Sequence, residues 1–567
     1  MRPLLHEIHT GHSPESLVER LADAAGVVLL RSALFESPQA RYSLVAARPF
    51  LTLRAFGTRC ELTEAGGSRV QFCDPWHLLD VLMARCELLE EVDLPFPLGG
   101  CFGFWGYDLK NFVEPRLPRR AVNDLELPDC HVGFHDSLVV FDHRLDKTWI
   151  VSTGLRPDGS RDAGHARRAV AWWREKLEGD AIGEGLPPHP CPLPLGGGVG
   201  ETAGFGRTSE RRVGSANSSL SPRLTRGEGW GEGSRPGQPL HPGPLPLRGG
   251  EGEAPTRRES PRPTQRAEQE LGAPTHLSST FSRDAFLAAV LCAQRYIHAG
   301  DIYQVNLAQR LAAPASDHGW GFFQRLSAVS PAPFSAFVDC GDFQIASSSP
   351  EMFLRLSGPH ITTRPIKGTR PRSADPTRDA QLTYELQTSP KEMAELVMIT
   401  DLLRNDLGRV CEFGSVQVPE LVRLERYPQV QHLVSTVEGR LRAGVTHFEA
   451  FAKCFPGGSI TGAPKIRAME IIDELEPVTR GPYTGCVGYL GFNRESHLNI
   501  AIRTAVCRPD AIYFHVGAGI VADSLPEAEY EETMAKAGGF LAALRPLLER
   551  GGPPRSFPLP STKSGPG

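Results

Sequence analysis

Four glutamates form two pairs whose spacing suits a divalent cation. Glu392 and Glu395 lie three residues apart, and Glu529 and Glu532 repeat that spacing near the C-terminus. Residues i and i+3 share one face of a helix, so each pair would place two carboxylates side by side. If the two faces meet, their oxygens suit a hard ion such as Mg2+, which takes a few carboxylates and keeps positions for water or substrate oxygens. For each pair taken alone, a solvated helix face is the alternative.

Basic and polar residues also interrupt apolar or glycine-rich runs. Lys367 lies in TRPIKGTRPR, where its amine is either a nucleophile or an ordinary surface charge. Arg503 lies in NIAIRTAV, Lys536 in ETMAKAGG and His432 in VQHLVST. A single Arg or His in a strand is commonly structural, but together these side chains suit a small acid that carries carboxylates.

The segment FPGGSITGAPK, Phe455–Lys465, combines glycines with two hydroxyl side chains. Glycine lets the backbone turn tightly and approach a ligand, and Ser459 and Thr461 offer hydroxyl groups that can also cap the following helix. The G-x-x-x-x-G-K-[ST] order of a P-loop is absent. A ligand-binding loop and a structural turn are therefore both consistent with this segment.

Helices and strands must position these residues. SPKEMAELVMITDLLRNDLGRV predicts a helix with Ser389 as N-cap, Pro390 in the first turn and Glu392 completing a capping box. Ser524 and Glu527 predict a second capping box before the helix EAEYEETMAKAGGFLAALRPLL, and SRDAFLAAVLCAQRYIHAG predicts a further helix. FQIASSSPEMFLRL, HITTRPIKG, SLVVFD and TWIVST predict strands.

The overall composition excludes several classes of protein. The chain has 567 residues, 40% of them hydrophobic, and a formal net charge of −5, so we expect no nucleic-acid partner. The sequence contains no run of about 18 apolar residues, so no membrane span is expected, and the N-terminus lacks the apolar core of a secretory signal. The 12 cysteines include no C-x-x-C pair. Dispersed thiols in a long chain predict a cytoplasmic location and no zinc site.

The middle of the chain differs from both flanks. Residues 181–276 contain 34 Gly and Pro and no lysine, and HPCPLPLGGGVG and HPGPLPLRGGEG within them agree at nine of twelve positions. Such Gly/Pro richness without a period predicts a disordered insertion, with a proline-motif docking segment as the alternative. We therefore divide the chain into an amino-terminal region 1–180, the insertion 181–276, a denser region 277–548 and a disordered tail 549–567.

Ten segments of the second half occur in an order that is specific to one family. They are IYQVNLAQR, PAPFSAF, SSSPEMFLRL, TRPIKGTRPR, AELVMITDLLRNDLGRV, VQHLVSTVEG, FPGGSITGAPKIRAMEIIDELEP, RGPYTGCVGYLGF, NIAIRT and GAGIVADSLPEAEYEETMAKA. With them the chain resembles the chorismate-utilising enzymes over nearly all of Phe281–Leu548. The resemblance implies an α+β fold, a large two-sheet antiparallel β-sandwich with surrounding helices, interrupted by the insertion. It makes residues 277–548 the chorismate-binding catalytic domain and residues 1–180 an amino-terminal region of the anthranilate synthase component I type.

The resemblance also implies roles for single residues. Glu395 and Glu532 would hold Mg2+ against the ring carboxylate of chorismate, with Glu392 and Glu529 as further ligands or their neighbours. Glu351 would be the general acid and base at the leaving hydroxyl. The remaining substrate contacts would come from His432 and Thr461 beside the ring and from Arg503, Lys536, Tyr483, Gly517, Ala518 and Gly519 at the carboxylates. The family usually has Asn where this chain has Leu396, so a polar neighbour that could support the metal ligand Glu395 is missing at this position.

Two positions sort the members of the family by reaction. Members that add water resemble one another in having a lysine where this chain has Gln304, and a glutamine cannot be a general base for water, so the reaction with ammonia is favoured. Anthranilate synthases usually read PIAGT where this chain reads PIKGT, as in members that form 4-amino-4-deoxychorismate. Lys367 would attack carbon 2 of chorismate while the hydroxyl on carbon 4 leaves, and ammonia would then expel the lysine. We expect neighbouring cations such as Arg364 and Arg370 to favour the uncharged amine.

The resemblance therefore predicts the aminodeoxychorismate synthase reaction of folate and 4-aminobenzoate synthesis, with a separate glutaminase subunit that supplies ammonia. The nearest alternative is the anthranilate synthase reaction. A third alternative is a non-catalytic homologue that binds tryptophan or a partner. FESPQARYS and PAPFSAF resemble the family's tryptophan-binding segments and make Ser37, Pro333, Phe334 and Ser335 candidate tryptophan ligands.

Overall fold

The structure, a computed structural model, describes residues 2–32, 41–88, 94–178, 277–315, 318–427 and 429–548. All of these belong to one compact unit, which the chain forms from both sides of residues 179–276. The predicted insertion 181–276, the predicted tail 549–567 and the candidate ligand Ser37 lie outside the described residues.

Before residue 179, the described residues form ten strands and four α-helices. These are β1 (Leu4–Ile8), α1 (Pro14–Glu19), β2 (Val28–Arg31), β3 (Tyr42–Ala46), β4 (Leu51–Phe56), β5 (Arg59–Glu64), β6 (Gly67–Phe72), α2 (Pro75–Cys86), β7 (Gly100–Trp105), α3 (Lys110–Val113), β8 (Cys130–His135), β9 (Ser137–Asp142), β10 (Lys147–Ser152) and α4 (Ala163–Glu178).

From residue 277 onwards, the described residues form fourteen strands and seven α-helices. These are β11 (Ser278–Ser279), α5 (Arg283–His298), β12 (Gln304–Pro314), α6 (Gly319–Val329), β13 (Phe334–Asp339), β14 (Gln344–Ser349), β15 (Met352–Ser357), β16 (His360–Arg364), β17 (Ile366–Pro371), α7 (Pro376–Thr388), α8 (Pro390–Gly408), β18 (Gln417–Arg426), β19 (Val430–Arg440), α9 (His447–Cys454), β20 (Gly462–Ala463), α10 (Lys465–Leu475), β21 (Cys486–Gly491), β22 (Glu495–Ile500), β23 (Thr504–Cys507), β24 (Ala511–Ile520) and α11 (Pro526–Leu548).

The strands form two antiparallel sheets of twelve described strands each. One sheet has the order β1-β10-β9-β3-β2-β13-β14-β23-β24-β12-β11, with β20 paired to β12. The other has the order β17-β19-β16-β15-β22-β21-β7-β8-β4-β5-β6, with β18 paired to β19. The predicted two-sheet antiparallel α+β fold with surrounding helices is confirmed.

Both sheets combine strands from the two ends of the chain. Leu30 of β2 is opposite Ala336 of β13 in one sheet, and Gly103 of β7 is opposite Gly488 of β21 in the other. A Cβ atom on Gly103 would lie 2.2 Å from the carbonyl oxygen of His131, so only glycine permits this approach of β7 to β8. The regions 1–180 and 277–548 therefore share one core and are not separate bodies.

The predicted helices occur, with one correction at a helix start. The Ser389 hydroxyl caps α8 by accepting from the backbone N–H of Glu392 at 3.4 Å, and α11 begins at Pro526 as the sequence indicates. The Ser524 hydroxyl accepts from the backbone N–H of Val521 at 3.0 Å and donates to Glu529 Oε1 at 2.6 Å, so its hydrogen bonds differ from those of the predicted capping box with Glu527. No helix in the described part of the chain could cross a membrane by length and apolarity.

Candidate active site

Lys367 projects from a strand that is bent at the following residue. In the pairing of β17 with β19, Lys367 is opposite Leu433 and Thr369 is opposite His432, so Gly368 is an extra residue in a β-bulge. Gly368 has φ +66°, and a Cβ there would lie 2.7 Å from Leu386 Cδ1, which restricts the position to glycine. The Lys367 side chain is 15% exposed, and its Nζ lies 3.9 Å from Glu395 Oε2.

Glu351 lies between β14 and β15 and is buried. Burial raises the pKa of its carboxyl to about 7, against the lowering effects of a hydrogen bond from Ser459, the charge of Lys367 and the backbone N–H of Ile366. A carboxyl that is partly protonated near neutral pH can both donate and accept a proton. Glu351 is thus suited to proton transfer beside Lys367.

The two acidic helix faces lie close enough to interact electrostatically. Burial raises the pKa of Glu395 on α8; Lys367 and Lys391 oppose this effect, while Glu392 and Glu532 add to it. The Glu532 side chain on α11 is 50% exposed, and its pKa is lowered because Lys536, Lys391 and Lys367 outweigh the effect of partial burial. Gln304 beside Glu395, and Lys536 beside Glu532, both reach the backbone of β24, so the two carboxylates border one cleft.

Glu392 and Glu529 each have a protein partner. Arg370 Nη1 donates to Glu392 Oε1 at 3.2 Å, and the Ser524 hydroxyl donates to Glu529. In the described ranges, no group of three or more His, Cys, Asp or Glu side chains is arranged so that it could hold a metal ion. The carboxylate pair Glu395 and Glu532 fits the alternative, an open site in which Mg2+ keeps positions for water or substrate oxygens.

Cations and backbone groups from β24 and α11 flank the carboxylates. Lys536 Nζ donates to Glu532 Oε1 at 2.6 Å and to the carbonyl oxygen of Gly517 at 2.8 Å. Arg503 has φ +52° and donates to the carbonyl oxygen of Lys536 at 2.6 Å. Burial lowers the pKa of both Arg503 and Lys536. This cost of burying two cations is offset where an anion binds beside them.

Tyr483 and the glycines of β24 complete the same wall. Tyr483 is 6% exposed, and its ring stacks on His515 with centroids 5.0 Å apart. A Cβ on Gly517 would lie 2.9 Å from the Tyr483 hydroxyl, and one on Gly519 would lie 2.5 Å from Gln304 Nε2. Ala518, between the two glycines, is buried. Glycine at 517 and 519 thus lets the Tyr483 hydroxyl and the Gln304 amide approach the backbone of β24.

The other predicted residues take different positions. Gln304 Nε2 lies 3.4 Å from Glu395 Oε2, so Gln304 belongs to the cleft. His432 Nδ1 is 2.9 Å from the Thr369 hydroxyl, and burial lowers the pKa of His432 to about 4. The Thr461 hydroxyl donates within its own loop, to the carbonyl oxygens of Gly457 and Gly458. Thr461 therefore contributes loop geometry in this structure rather than an available hydroxyl.

Two residues near the cleft add to what the sequence indicated. Lys391 acts on Glu395, Glu529 and Glu532 by its charge, and its only sequence signal was its place four residues before Glu395. Leu396 is buried with Leu386 and Leu433 in a small apolar cluster. Its apolar side chain cannot orient a ligand as a polar residue would.

The candidate tryptophan ligands lie apart from the cleft. Pro333, Phe334 and Ser335 line a cavity of about 560 Å3 whose other walls come from both sheets and include Tyr489 and His497. None of the residues that line it is a member of the cleft described above. The Ser335 hydroxyl donates to the carbonyl oxygen of Ala332 at 3.1 Å.

Comparison with known proteins identifies the family. The profile of the chorismate binding enzymes matches residues 250–542. Anthranilate synthase component 1 of Thermus thermophilus is 35% identical over 94% of this chain and 95% of its own. The chain belongs to the chorismate-binding enzyme family. Aminodeoxychorismate synthase component 1 of Klebsiella aerogenes is 37% identical over 92% of this chain and 95% of its own.

A solved chorismate-binding enzyme shares the fold. The crystal structure of anthranilate synthase component I from Streptococcus pneumoniae TIGR4 superposes with a TM-score of 0.64 and 27% identity, covering 90% of this chain and 94% of that one. The relatives divide between two names at similar identity, so overall similarity identifies a chorismate-binding enzyme without selecting its product. The choice between the two reactions depends on the residues of the cleft.

Proposed function

We propose that the chain is an aminodeoxychorismate synthase component I, which converts chorismate and ammonia to 4-amino-4-deoxychorismate. The observation that carries this proposal is the position of Lys367. Its shielded amine lies in the same cleft as the proton-transfer candidate Glu351 and the carboxylates Glu395 and Glu532. The Lys367 side chain is 15% exposed, whereas that of Lys147, which forms an ordinary surface ion pair, is 42% exposed.

The reaction has two displacement steps. In the first, the neutral amine of Lys367 bonds to carbon 2 of chorismate, both ring double bonds shift by one position, from C1=C2 to C1=C6 and from C5=C6 to C4=C5, and the bond from carbon 4 to its hydroxyl breaks. Glu351 gives its proton to the departing hydroxyl, which leaves as water. In the second step ammonia bonds to carbon 4, both double bonds shift back, and the carbon 2–lysine bond breaks. The new ammonium returns a proton to Glu351, so the enzyme is regenerated.

Lys367 must lose its proton before it can attack carbon 2. Arg364 pairs with Glu425 at 2.6 Å and Arg370 with Glu392 at 3.2 Å, so carboxylates compensate the two guanidiniums that we expected to act on Lys367. Lys367 and Lys536 both act on Glu532 by their charge, and burial together with repulsion by Arg503 and Lys367 lowers the pKa of Lys536. Glu395 and Glu532 would hold Mg2+. The bound cation would give the ring carboxylate a binding point and would neutralise negative charge on Glu395, the carboxylate nearest Lys367.

The remaining roles follow from charge and position. Arg503 and Lys536 would bind the carboxylates of chorismate together with the Tyr483 hydroxyl and the backbone at Gly517 and Gly519. Gln304 would steady Glu395 through the 3.4 Å contact. The names of the relatives, each a component 1, support a partner that completes the enzyme. We propose a glutaminase subunit as that partner and as the source of ammonia.

A product assay with a matched lysine control tests this function. The protein is incubated with chorismate, Mg2+ and ammonium, and the products are separated by chromatography. We expect 4-amino-4-deoxychorismate from the parent and from Lys391→Ala, and none from Lys367→Ala, because Lys391 lies in the same charged cleft without being the nucleophile. Anthranilate as the sole product of the parent would establish the second candidate function, the one for which the Thermus thermophilus relative is named.

We also propose that the cavity at Pro333, Phe334 and Ser335 binds tryptophan. Its volume of about 560 Å3 is within the range of small-molecule sites, and its lining combines aromatic rings with polar groups. Calorimetry with tryptophan should give binding by the parent and none by Phe334→Ala with an unchanged fold. Equal heats for both proteins would exclude this cavity.

A further inference from the structure

One loop lies beside the proton-transfer candidate and contains only short pieces of regular structure. Residues Phe455–Pro464, which we call the glycine loop, connect α9 to α10 and include a short 3-10 helix, Gly458–Ile460, and the two-residue strand β20. A Cβ on Gly457 of this loop would lie 2.6 Å from Ile500 Cδ1, and the backbone N–H of Ile500 donates to the carbonyl oxygen of Glu351 at 3.0 Å. The Ser459 side chain of the loop also acts on the Glu351 carboxyl and opposes the rise of its pKa. The position of the loop therefore sets where Glu351 finds one of its partners.

A buried lysine holds the start of the glycine loop. Lys465, the first residue of α10, donates from Nζ to Asp406 Oδ2 at 2.5 Å, to the carbonyl oxygen of Pro456 at 2.9 Å and to that of Cys454 at 3.2 Å. Its three protons are thus all used. The side chains of Lys465 and Asp406 are only 10% and 3% exposed.

Three helix ends meet at this ammonium group. Cys454 is the last residue of α9, Asp406 lies in the last turn of α8, and α10 begins at Lys465 itself. A cation is favourable beside the carbonyl ends of α8 and α9. Because α8 also bears Glu395, the pair of Lys465 and Asp406 connects the helix of the metal candidates to the loop that contacts Glu351.

A second buried cation holds the middle of the glycine loop. Arg480 is 1% exposed and pairs with Glu476 at 2.6 Å. Its guanidinium also donates to the carbonyl oxygen of Ile460 at 3.2 Å and to that of Asn306 at 2.8 Å. Asn306 is on β12 two residues after Gln304. The loop backbone is therefore held by two buried cations that also contact elements bearing cleft residues.

Such pairs are poor devices for stability alone. Desolvation of two charges often cancels their attraction, and apolar residues of similar volume frequently stabilise a fold equally well. A hydrogen-bonded buried pair does fix the local geometry, since any other arrangement leaves a charge without a partner. Both pairs hold the glycine loop, so they fix the position of the loop beside Glu351.

We propose that Lys465 is a positioning residue for the reaction, which acts through the glycine loop on Glu351 and through Asp406 on the helix of Glu395. Arg480 supports the same loop at Ile460. The inference rests on the proposed function only in giving Glu351 and Glu395 roles in chorismate turnover. Neither Lys465 nor Arg480 needs to touch the substrate.

The test measures loss of chorismate, whatever the product, in the full chain with Mg2+ and ammonium. Lys465→Met keeps most of the side-chain stem, and Asp406→Asn keeps the oxygen acceptor while removing its charge. Each is assayed well below its own thermal midpoint. We expect kcat to fall about 100-fold in Lys465→Met, as for a small misplacement of reacting groups, with little change in chorismate KM. Asp401→Asn, at an exposed position of the same helix that pairs with Arg404, should leave kcat unchanged.

A cycle with Ser459→Ala separates positioning from stability. If Lys465 acts through the loop, the Ser459→Ala substitution should lower kcat by a smaller factor in the Lys465→Met background than in the parent. A parental kcat in Lys465→Met, or fully additive losses, would overturn the inference. If Lys465→Met does not fold, the same cycle with Asp406→Asn decides the matter. Because only chorismate loss is followed, anthranilate as the product would refute the proposed function while leaving this result readable.

Discussion

Replacing Glu351 by glutamine should make the protein more stable at high pH. Burial raises the pKa of Glu351 from the ordinary 4.5 to about 7, a difference that corresponds to about 3 kcal/mol between its two protonation states. Below the ordinary value the carboxyl is protonated in the folded and the unfolded chain, so folding carries no charge penalty. Above about pH 7 it is ionised in both, and the folded state bears the full cost. The parent should therefore lose stability relative to Glu351→Gln as the pH rises from 4.5 to 7.

The size of the effect follows from the same shift. Glutamine has nearly the same shape as glutamate and carries no charge. The free energy of unfolding of Glu351→Gln minus that of the parent should therefore be larger at pH 8 than at pH 4.5, by up to about 3 kcal/mol. Groups elsewhere, such as Asp129 with its raised pKa of about 6, titrate equally in both proteins and cancel. Urea denaturation at several pH values measures the difference.

Activity should change in the opposite direction. An amide cannot transfer the proton, so kcat of Glu351→Gln should fall about 100-fold or more. Glu438→Gln, at an exposed position on β19, is the control and should change neither property. A difference in stability that does not depend on pH, or one that favours the parent at pH 8, would refute the account of Glu351 as a buried carboxyl of raised pKa.

Three further predictions concern other residues in and around the cleft. Lys536→Met removes hydrogen bonds to Glu532 and Gly517, so the chorismate KM should rise about tenfold or more, whereas a KM equal to the parent's would remove Lys536 from the substrate site. Gln304→Leu removes the amide beside Glu395, so half-maximal activity should need about tenfold more Mg2+, and an unchanged Mg2+ titration would contradict this. Gly368→Ala meets Leu386 at 2.7 Å with φ at +66°, so it should destabilise the fold by more than about 1 kcal/mol, and an unshifted melting temperature would show that the bulge tolerates a side chain.

The sequence predicted those features that short-range patterns determine. The cap at Ser389, the start of α11 and the strands that lead up to Lys367 follow from local residue types. The pairing of β2 with β13, and hence the shared core of both chain ends, depends on contacts between residues hundreds of positions apart, which periodicity does not specify. Likewise the partners of Arg364, Arg370 and Ser524 depend on which carboxylate the fold brings near, since each has several acceptors within reach in sequence.

The positions of the cleft residues were predictable from family motifs, but their electrostatics were not. The pKa of Glu351 near 7 and that of His432 near 4 result from burial by segments that are distant in sequence. For Thr461 the relevant contacts are local instead, because its hydroxyl donates to carbonyl oxygens of its own loop. Lys465 and Arg480 gave no signal beyond their charge, since their role depends on which backbone oxygens surround them.

The most direct test of the central claim is to trap the covalent adduct at Lys367. The protein is incubated with chorismate and Mg2+ without ammonia, denatured rapidly and digested, and its peptides are analysed by mass spectrometry. The proposed mechanism predicts that the peptide containing Lys367 gains the mass of chorismate less one water, and that added ammonium removes this gain. Turnover of chorismate with an unmodified Lys367, or modification of Lys391 instead, would contradict it.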